Sequence, residues 1–432
     1  MLARETSGEE VVEMDIVRET PVEGTAADSE AARATGVHQT ISTGPLLGAQ
    51  IRSGLQERRL RIKKIPPGLR RRTPDFSREP VFLKRFVWRL REDSQFLRSM
   101  VQLSFALLCL WIGIEFALFV RWGQSGGAAV FVPRPPGVEG FLPISALISL
   151  KYWLQTGVIN EVHPAGLFIL IAILLSGVLL KKAFCGWLCP IGTLSESLWM
   201  FGQKIFGKNL PLPRWADYPL RSLKYLLLLF FVVSIWQMDV PTLFRFIESP
   251  YNKMADAKMY LFFAHISSIA LWTILILAAL SVVVRNFWCR FLCPYGALLG
   301  FLSWLSPSKI TRSPSTCIDC ELCTKACPSG INVHTAKRVR SDECMACLRC
   351  VEACPVKNTL EMRASRSGRA IPNWVFGVLV VGTFMAVTGL AMLTGHWQNR
   401  LSKEEYLQRF QNIESPLYEH NRGQVPDYGK ND

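Results

Sequence analysis

The sequence does not begin with a basic segment followed by an apolar core, so its start does not read as a signal peptide. A sustained apolar period is also missing from Met1 to about Gln50. That stretch is polar, acidic at first and rich in Ala, Thr, Ser and Gly, which predicts a disordered extension over residues 1–51. Charged residues make up 19% while half the chain is hydrophobic, an apolar content high for a purely soluble protein, so a membrane class is the first expectation. The spacing of a disulfide-stapled secreted domain is absent too. Twelve of the 13 cysteines fall in tight repeated spacings, which point to metal ligation before disulfides. The exception, Cys109 in ALLCLWIG, reads as a small buried hydrophobe. A formal charge of +15 in a chain with long apolar runs reads as inner-side topology signals, and nucleic acid is excluded as a partner.

What is present is a series of apolar spans near the ~20 residues that cross a bilayer as a helix. They run over about Met100–Val120, Pro164–Leu180, Leu223–Gln237, Leu261–Val284 and Trp374–Thr394. The segment GFLPISALISLKYWLQTGVI carries Lys151 near its middle and Pro143 near its start, so it is expected to be an interfacial or re-entrant helix. Ahead of the first span lies a basic juxtamembrane segment, residues 52–99, whose EPVFLKRFVWRLRED predicts an interfacial amphipathic helix. The positive charge lies before the first span, between Lys181 and Arg221, and between Arg285 and Arg369. All three stretches fall on one side of a five-span arrangement, which predicts an inner N-terminus and an outer C-terminus.

The strongest motif is CIDCELCTKACP, with Cys317, Cys320, Cys323 and Cys327 before Pro328. It recurs as CMACLRCVEACP, with Cys344, Cys347, Cys350 and Cys354 before Pro355. Both match C-x2-C-x2-C-x3-C-P, in which three close thiolates wrap one [4Fe–4S] cluster and the fourth reaches the other. On that rule Cys317, Cys320, Cys323 and Cys354 hold one cubane, and Cys344, Cys347, Cys350 and Cys327 hold the second. Structural zinc would need only four tetrahedral ligands and leaves the third Cys at x2 and the terminal Cys-Pro unexplained. Two adjacent cubanes make electron relay the expected use.

A second repeat closes two of the apolar spans, KKAFCGWLCPIGTL and RNFWCRFLCPYGAL. In register, Cys185 matches Cys289, Cys189 matches Cys293 and Pro190 matches Pro294, as in duplicated helix hairpins. Cysteines at i and i+4 share a helix face, so the four could converge as a third thiolate-bound metal centre, a copper site or a dithiol relay; unligated thiols beside a kink are the alternative. His163 and His265 occupy comparable outer positions, and ordinary hydrogen-bonded interfacial histidines are the favoured reading over quinol, haem or copper ligands. Glu115 is a costly carboxylate within the first span and a candidate for proton relay. Ser402 and Glu405 in SKEE form a possible capping box in the tail.

Together, CGWLCP, CRFLCP and the two ferredoxin runs resemble the membrane polyferredoxin family, over roughly Met100 to Arg369. That family takes in the NapH-type subunits, the membrane half of NosR-type proteins and the CcoG-type oxidase accessory proteins. The resemblance implies a bacterial inner-membrane protein whose cytoplasmic ferredoxin module exchanges electrons with quinone, a respiratory redox protein or copper. The expected fold is mostly α: a polytopic transmembrane bundle of about five spans with an inserted small α+β bacterial-type 2[4Fe–4S] domain. The boundaries expected are 100–306 for the four-helix anchor, 307–370 for the cytoplasmic insert, 371–396 for the last span and 397–432 for a periplasmic tail. Two other functions stay open here: a copper-handling accessory factor for oxidase assembly, since soft thiolate suits Cu(I), and a redox sensor or scaffold.

Overall fold

A computed structural model describes residues 56, 61–63, 65–66, 69–71, 82–365 and 368–419. The chain divides into two units, Met1–Glu57 and Arg58–Asp432, and the architecture below is that of the second. The expected extension over residues 1–51 lies outside the described residues, as does the end of the tail.

The amphipathic segment forms α1 (Phe82–Glu92). Asp93 ends it, because its carboxylate accepts the N–H groups of Gln95 and Phe96 at 3.0 Å and so caps the next helix. That helix, α2 (Ser94–Gln124), has 31 residues and exceeds the expected first span at both ends. The segment with Lys151 folds as α3 (Pro143–Thr156), begun by a proline at its first position and ended by Gly157 in the left-handed conformation. Its length of about 21 Å is too short to cross a ~30 Å hydrocarbon core. The Lys151 ammonium is occupied in capping, donating to the carbonyls of Ile235 at 3.1 Å, Trp236 at 2.8 Å and Met238 at the end of a later helix.

The first repeat comprises α4 (Pro164–Leu180), the five-residue α5 (Ala183–Trp187) and α6 (Pro190–Phe206). After α7 (Arg214–Trp236) come the short helices α8 (Val240–Glu248), α9 (Pro250–Lys253) and α10 (Ala255–Ala264). The second repeat follows as α11 (Ser268–Val283), a wide helical turn over Trp288–Leu292, and α12 (Pro294–Leu302). The expected fourth span, Leu261–Val284, is not one helix. The chain bends by 83° between α10 and α11, where the Ser267 hydroxyl accepts the Ala270 N–H and begins a new helix. Among the described residues, three helices are long and apolar enough to cross a membrane: α2, α7 from Trp215, and Asn373–Leu393 near the C-terminus; the bent pair makes a fourth if it counts as one span. The 17-residue α4 is shorter, yet it is the hub against which α3, α12 and the C-terminal apolar helix pack.

Strands β1 (Lys309–Arg312), β2 (Leu360–Arg363) and β3 (Ala370–Ile371) form an antiparallel sheet in that order. Both ferredoxin runs lie between β1 and β2, on the short helices α13 (Leu322–Ala326) and α14 (Arg349–Glu352). The apolar helix α15 (Asn373–Leu393) then returns beside α4. In the tail, Ser402 caps α16 (Lys403–Gln411) by accepting the Glu405 N–H at 3.2 Å. The tail is therefore anchored: Tyr406 and Phe410 pack on Phe119 of α2 with ring centroids 5.1 and 5.7 Å away.

Glycine decides one helix contact. A Cβ on Gly202 of α6 would lie 1.9 Å from the Val282 carbonyl of α11, so only glycine lets the two repeats approach there. Gly202→Ala is expected to cost at least the about 1–3 kcal/mol of an overpacked contact. A lowered melting temperature of the purified protein in detergent would register it.

Candidate functional site

Each ferredoxin run wraps its first three cysteines by the same backbone device. The residues flanking the second cysteine are left-handed in both copies: Asp319 and Glu321 at φ 48° and 57°, Ala346 and Leu348 at 49° and 58°. For residues with a Cβ this costs about 1–2 kcal/mol each, and strain of that kind persists where a loop must turn its side chains onto one point. Two separate hollows result. Cys317, Cys320, Cys323 and Cys354 line one, with about 320 Å³ of atom-free space. Cys327, Cys344, Cys347 and Cys350 line the other, with about 370 Å³. The fourth cysteine of each run thus lies with the first three of the other run.

The surroundings suit a cubane. Apolar side chains close both hollows, among them Leu360 and Val356 in the first and Val333 and Val339 in the second. Burial pushes the Cys354 thiol up to about 11 and the Cys327 thiol up to about 12, so iron would have to displace their protons. Among the described residues no three His, Cys, Asp or Glu are spaced for a single metal ion. Four sulfurs on one zinc would stand about 3.8 Å apart, whereas a cubane places an iron behind each sulfur and spreads them wider. Two all-thiolate sets, each in its own apolar hollow, fit [4Fe–4S].

The four repeat cysteines also come together, but not along one helix face as expected. Proline has no N–H and its ring clashes with the carbonyl four residues back, so α5 stops at Trp187 before Pro190. Cys189 becomes the N-cap of α6, its Sγ accepting the Gly192 N–H at 3.4 Å. Cys293 caps α12 identically, with Gly296 at 3.3 Å. A Cβ on Gly192 would meet the Cys185 carbonyl at 2.3 Å, and one on Gly296 would meet the Cys289 carbonyl at 3.1 Å. The device is duplicated down to the close approach. Cys185, Cys189, Cys289 and Cys293 lie within electrostatic reach of one another, and burial raises all four thiol pKa values. Cys109 is half-buried on α2 and within reach of Cys189.

The family described as 4Fe-4S binding domain matches residues 162–209 and 264–313, stretches whose cysteines are the four of the repeats. The 4Fe-4S dicluster domain matches residues 309–355, which hold all eight ferredoxin-run cysteines. YccM of Escherichia coli, named for electron transport, is 44% identical over 314 residues, covering 72% of this chain and 88% of YccM. The chain belongs to the membrane-associated ferredoxin-type electron transport proteins. More distant members of the family include the protein NirI of Paracoccus denitrificans, 27% identical over 58% of this chain and 35% of NirI. The ferredoxin-type protein NapH of Escherichia coli is 26% identical over 40% of this chain and 59% of NapH. No solved structure matches.

In this ferredoxin-type protein the cysteine centres are joined to the anchor by residues that motif reading passed over. Gly186, next to Cys185, faces the second run so closely that a Cβ there would lie 2.8 Å from the Met345 carbonyl and 3.7 Å from the Cys347 Cβ. Trp187 donates its indole N–H to the Ala346 carbonyl at 3.0 Å. Beside the four repeat thiols, the Lys182 and Lys224 ammonium groups share the Glu343 carboxylate, with Asp342 also within electrostatic reach of both. Glu196 of α6 accepts two hydrogen bonds from Arg98 of α2, at 2.6 and 2.7 Å, and others from Gln102 and from Arg349 beside Cys350. Burial alone would raise its pKa, but Arg98 and Arg349 outweigh that and hold it down at about 2. The signal available in sequence was ionisable residues next to apolar runs, without any indication of their partners.

At the opposite end of α4, His163 is buried among charges. Its Nδ1 is 3.3 Å from the Arg134 guanidinium, its Nε2 is 2.7 Å from the Asn252 carbonyl, and Arg134 pairs with Glu139 at 2.8 Å and with Asp256. His265 is exposed at the bend between α10 and α11, so the two histidines do not share an environment. Glu115 is half-buried and has no hydrogen-bond or ion-pair partner among the described residues.

Glu196→Gln leaves the buried Arg98 guanidinium without its counter-charge, an expected loss of about 3–5 kcal/mol. Denaturation of the detergent-purified protein would measure it. Because the folded-state pKa lies below the ordinary 4.5, this contribution is complete above pH 4.5 and is lost as pH falls towards 2. The variant should lack that acid-side dependence.

Proposed function

We propose that the chain is a relay carrying single electrons between the insert formed by residues 307–370 and the membrane anchor, through three iron–sulfur centres. Cys317, Cys320, Cys323 and Cys354 hold the first cubane, and Cys344, Cys347, Cys350 and Cys327 the second. Cys185, Cys189, Cys289 and Cys293 hold the third. The observation that carries this reading is the contact of Gly186 and Trp187 with Met345–Cys347. It brings the repeat cysteines up against the second hollow, so that sulfur sites follow one another from the insert to the helix ends. The clusters supply one-electron chemistry when bound, and the protein supplies positions, water exclusion and charge. Lys182 and Lys224 stand as cations beside the repeat thiols and would offset part of the negative charge of a thiolate-held centre.

In this reading the cysteine-bearing end faces the cytoplasm of a bacterium, and α16 lies on the periplasmic side of the inner membrane. The basic segments flanking the cysteine motifs support that orientation. The membrane-side partner is a quinone or a respiratory redox protein, in keeping with relatives named for electron transport.

Metal analysis of anaerobically purified protein is expected to give about twelve irons and twelve labile sulfides per chain, three cubanes' worth. Changing the four repeat cysteines to Ser should remove about four of each. Stoichiometric copper, lost in that variant, would overturn the third cluster in favour of a copper-handling role. The crossed ligand sets have their own test by electron paramagnetic resonance. Cys327→Ser should abolish the same signal as Cys347→Ser, and Cys354→Ser the same signal as Cys320→Ser; the opposite pairing refutes the crossing.

A further inference from the structure

At the cysteine-bearing end of the anchor, the chain leaves α12 through Trp304 and Leu305 and enters β1 at Lys309. A surface hollow with about 770 Å³ of atom-free space opens there, and the described residues lining it are Trp304, Lys309, Arg338 and Arg340. Three cations around one hollow repel each other unless an anion joins them. The Lys309 ammonium registers this: burial, then Lys181, Arg338 and Arg340, pull its pKa below the ordinary lysine value. Neither Lys309 nor Arg340 has a carboxylate partner among the described residues, and the Lys309 ammonium donates only to the Trp304 carbonyl at 3.0 Å.

The cations sit on a fixed frame. Val339 donates its N–H to the Ile310 carbonyl and Arg312 donates to the Lys337 carbonyl, both at 2.9 Å, so the Arg338–Arg340 segment is fastened along β1. The Lys181 ammonium stands behind it on the Ser341 carbonyl at 2.8 Å. Arg338 donates to the carbonyls of Pro307 and Ala364, which orient the guanidinium.

Apolar surface adjoins the hollow. Phe301, Trp304 and Leu305 are 59%, 59% and 69% exposed, at the end of a helix that packs on α4 and α7. Ser306 ties this segment to the end of α4, its hydroxyl accepting the Lys181 N–H at 2.9 Å and donating to the Leu179 carbonyl at 3.0 Å. Large exposed apolar side chains beside cations, where an apolar helix ends, match the boundary between hydrocarbon and headgroups. A ligand that fits both halves has a phosphate head and an apolar body.

We propose that this hollow binds the phosphate of an anionic membrane phospholipid, with acyl chains along Phe301 and Leu305. The phosphodiester accepts charge-assisted hydrogen bonds from Lys309, Arg338 and Arg340. Since Lys309 begins β1 and Arg338–Arg340 is fastened to it, the lipid holds the sheet that frames both ferredoxin runs against the membrane surface. A free phosphate satisfies the cations and leaves the apolar side unused. An acidic protein surface does the same.

Native mass spectrometry of the detergent-purified full chain, titrated with phosphatidylglycerol, phosphatidylcholine and inorganic phosphate, tests this. Phosphatidylglycerol should be retained about ten-fold or more over phosphatidylcholine, and excess inorganic phosphate should not displace it. The double substitution Lys309→Gln, Arg340→Gln should abolish that preference while leaving iron content and cluster spectra unchanged, which separates its failure from that of the relay. Should the double variant not fold, Arg340→Gln alone, at an exposed position, should reduce the preference several-fold. Equal retention of the two lipids, an unchanged preference in the variants, or displacement by inorganic phosphate would each overturn the proposal.

Discussion

The seat of the second cysteine run on the short helix Ala183–Trp187 is the contact on which the rest of the arrangement depends. Glycine at 186 removes the side chain that would hold Met345 away, and the Trp187 indole, wholly buried, satisfies the Ala346 carbonyl. With that contact made, a sheet-framed insert rich in buried cysteine becomes continuous with a helix bundle. Trp187 and Phe376 of the last apolar helix share the same core as Cys350 and Val351. The second cysteine run thereby shares one apolar core with the anchor.

Charge completes what packing begins. Thiolates in an apolar interior need compensation, because an isolated buried charge costs far more than a paired one. The protein provides it from the anchor side: Lys182 and Lys224 stand beside the repeat thiols, and Arg98 stands near Cys347. Each cation is tied to a carboxylate, Glu343 or Glu196, so the ionic pairs also bind separate segments. Glu196 alone joins the first long helix, the first repeat and the ferredoxin insert. These pairs are weak as net stabilisers and strong as constraints on register.

Much of this was legible from residue order. Both ferredoxin runs, the paired Cys-x3-Cys-Pro motifs and four of the apolar segments correspond to features of the fold, because each is a local pattern with a local physical cause. The fourth apolar segment misled: Leu261–Val284 is mostly apolar, but it is interrupted at His265–Ser268, where Ser267 begins a new helix at an 83° bend. Hydropathy reports solvent preference and carries no information on where a helix restarts. The i, i+4 argument for Cys185 and Cys189 failed for a similar reason, since Pro190 separates them into two elements. The histidine pair looked symmetrical in sequence and is not, His163 being enclosed by Arg134 and Asn252 while His265 lies at the surface.

The sequence by itself determined the chemistry and the class of this protein: eight cysteines in two runs, four more at duplicated helix ends, and apolar segments of membrane length. Those are spacings of a few residues, within which covalent geometry leaves little choice. Tertiary structure decided that the four repeat thiols meet, and which buried carboxylate answers which cation. The ionic partnerships join residues 98 or more positions apart, and they depend on how helices pack, which no local pattern encodes.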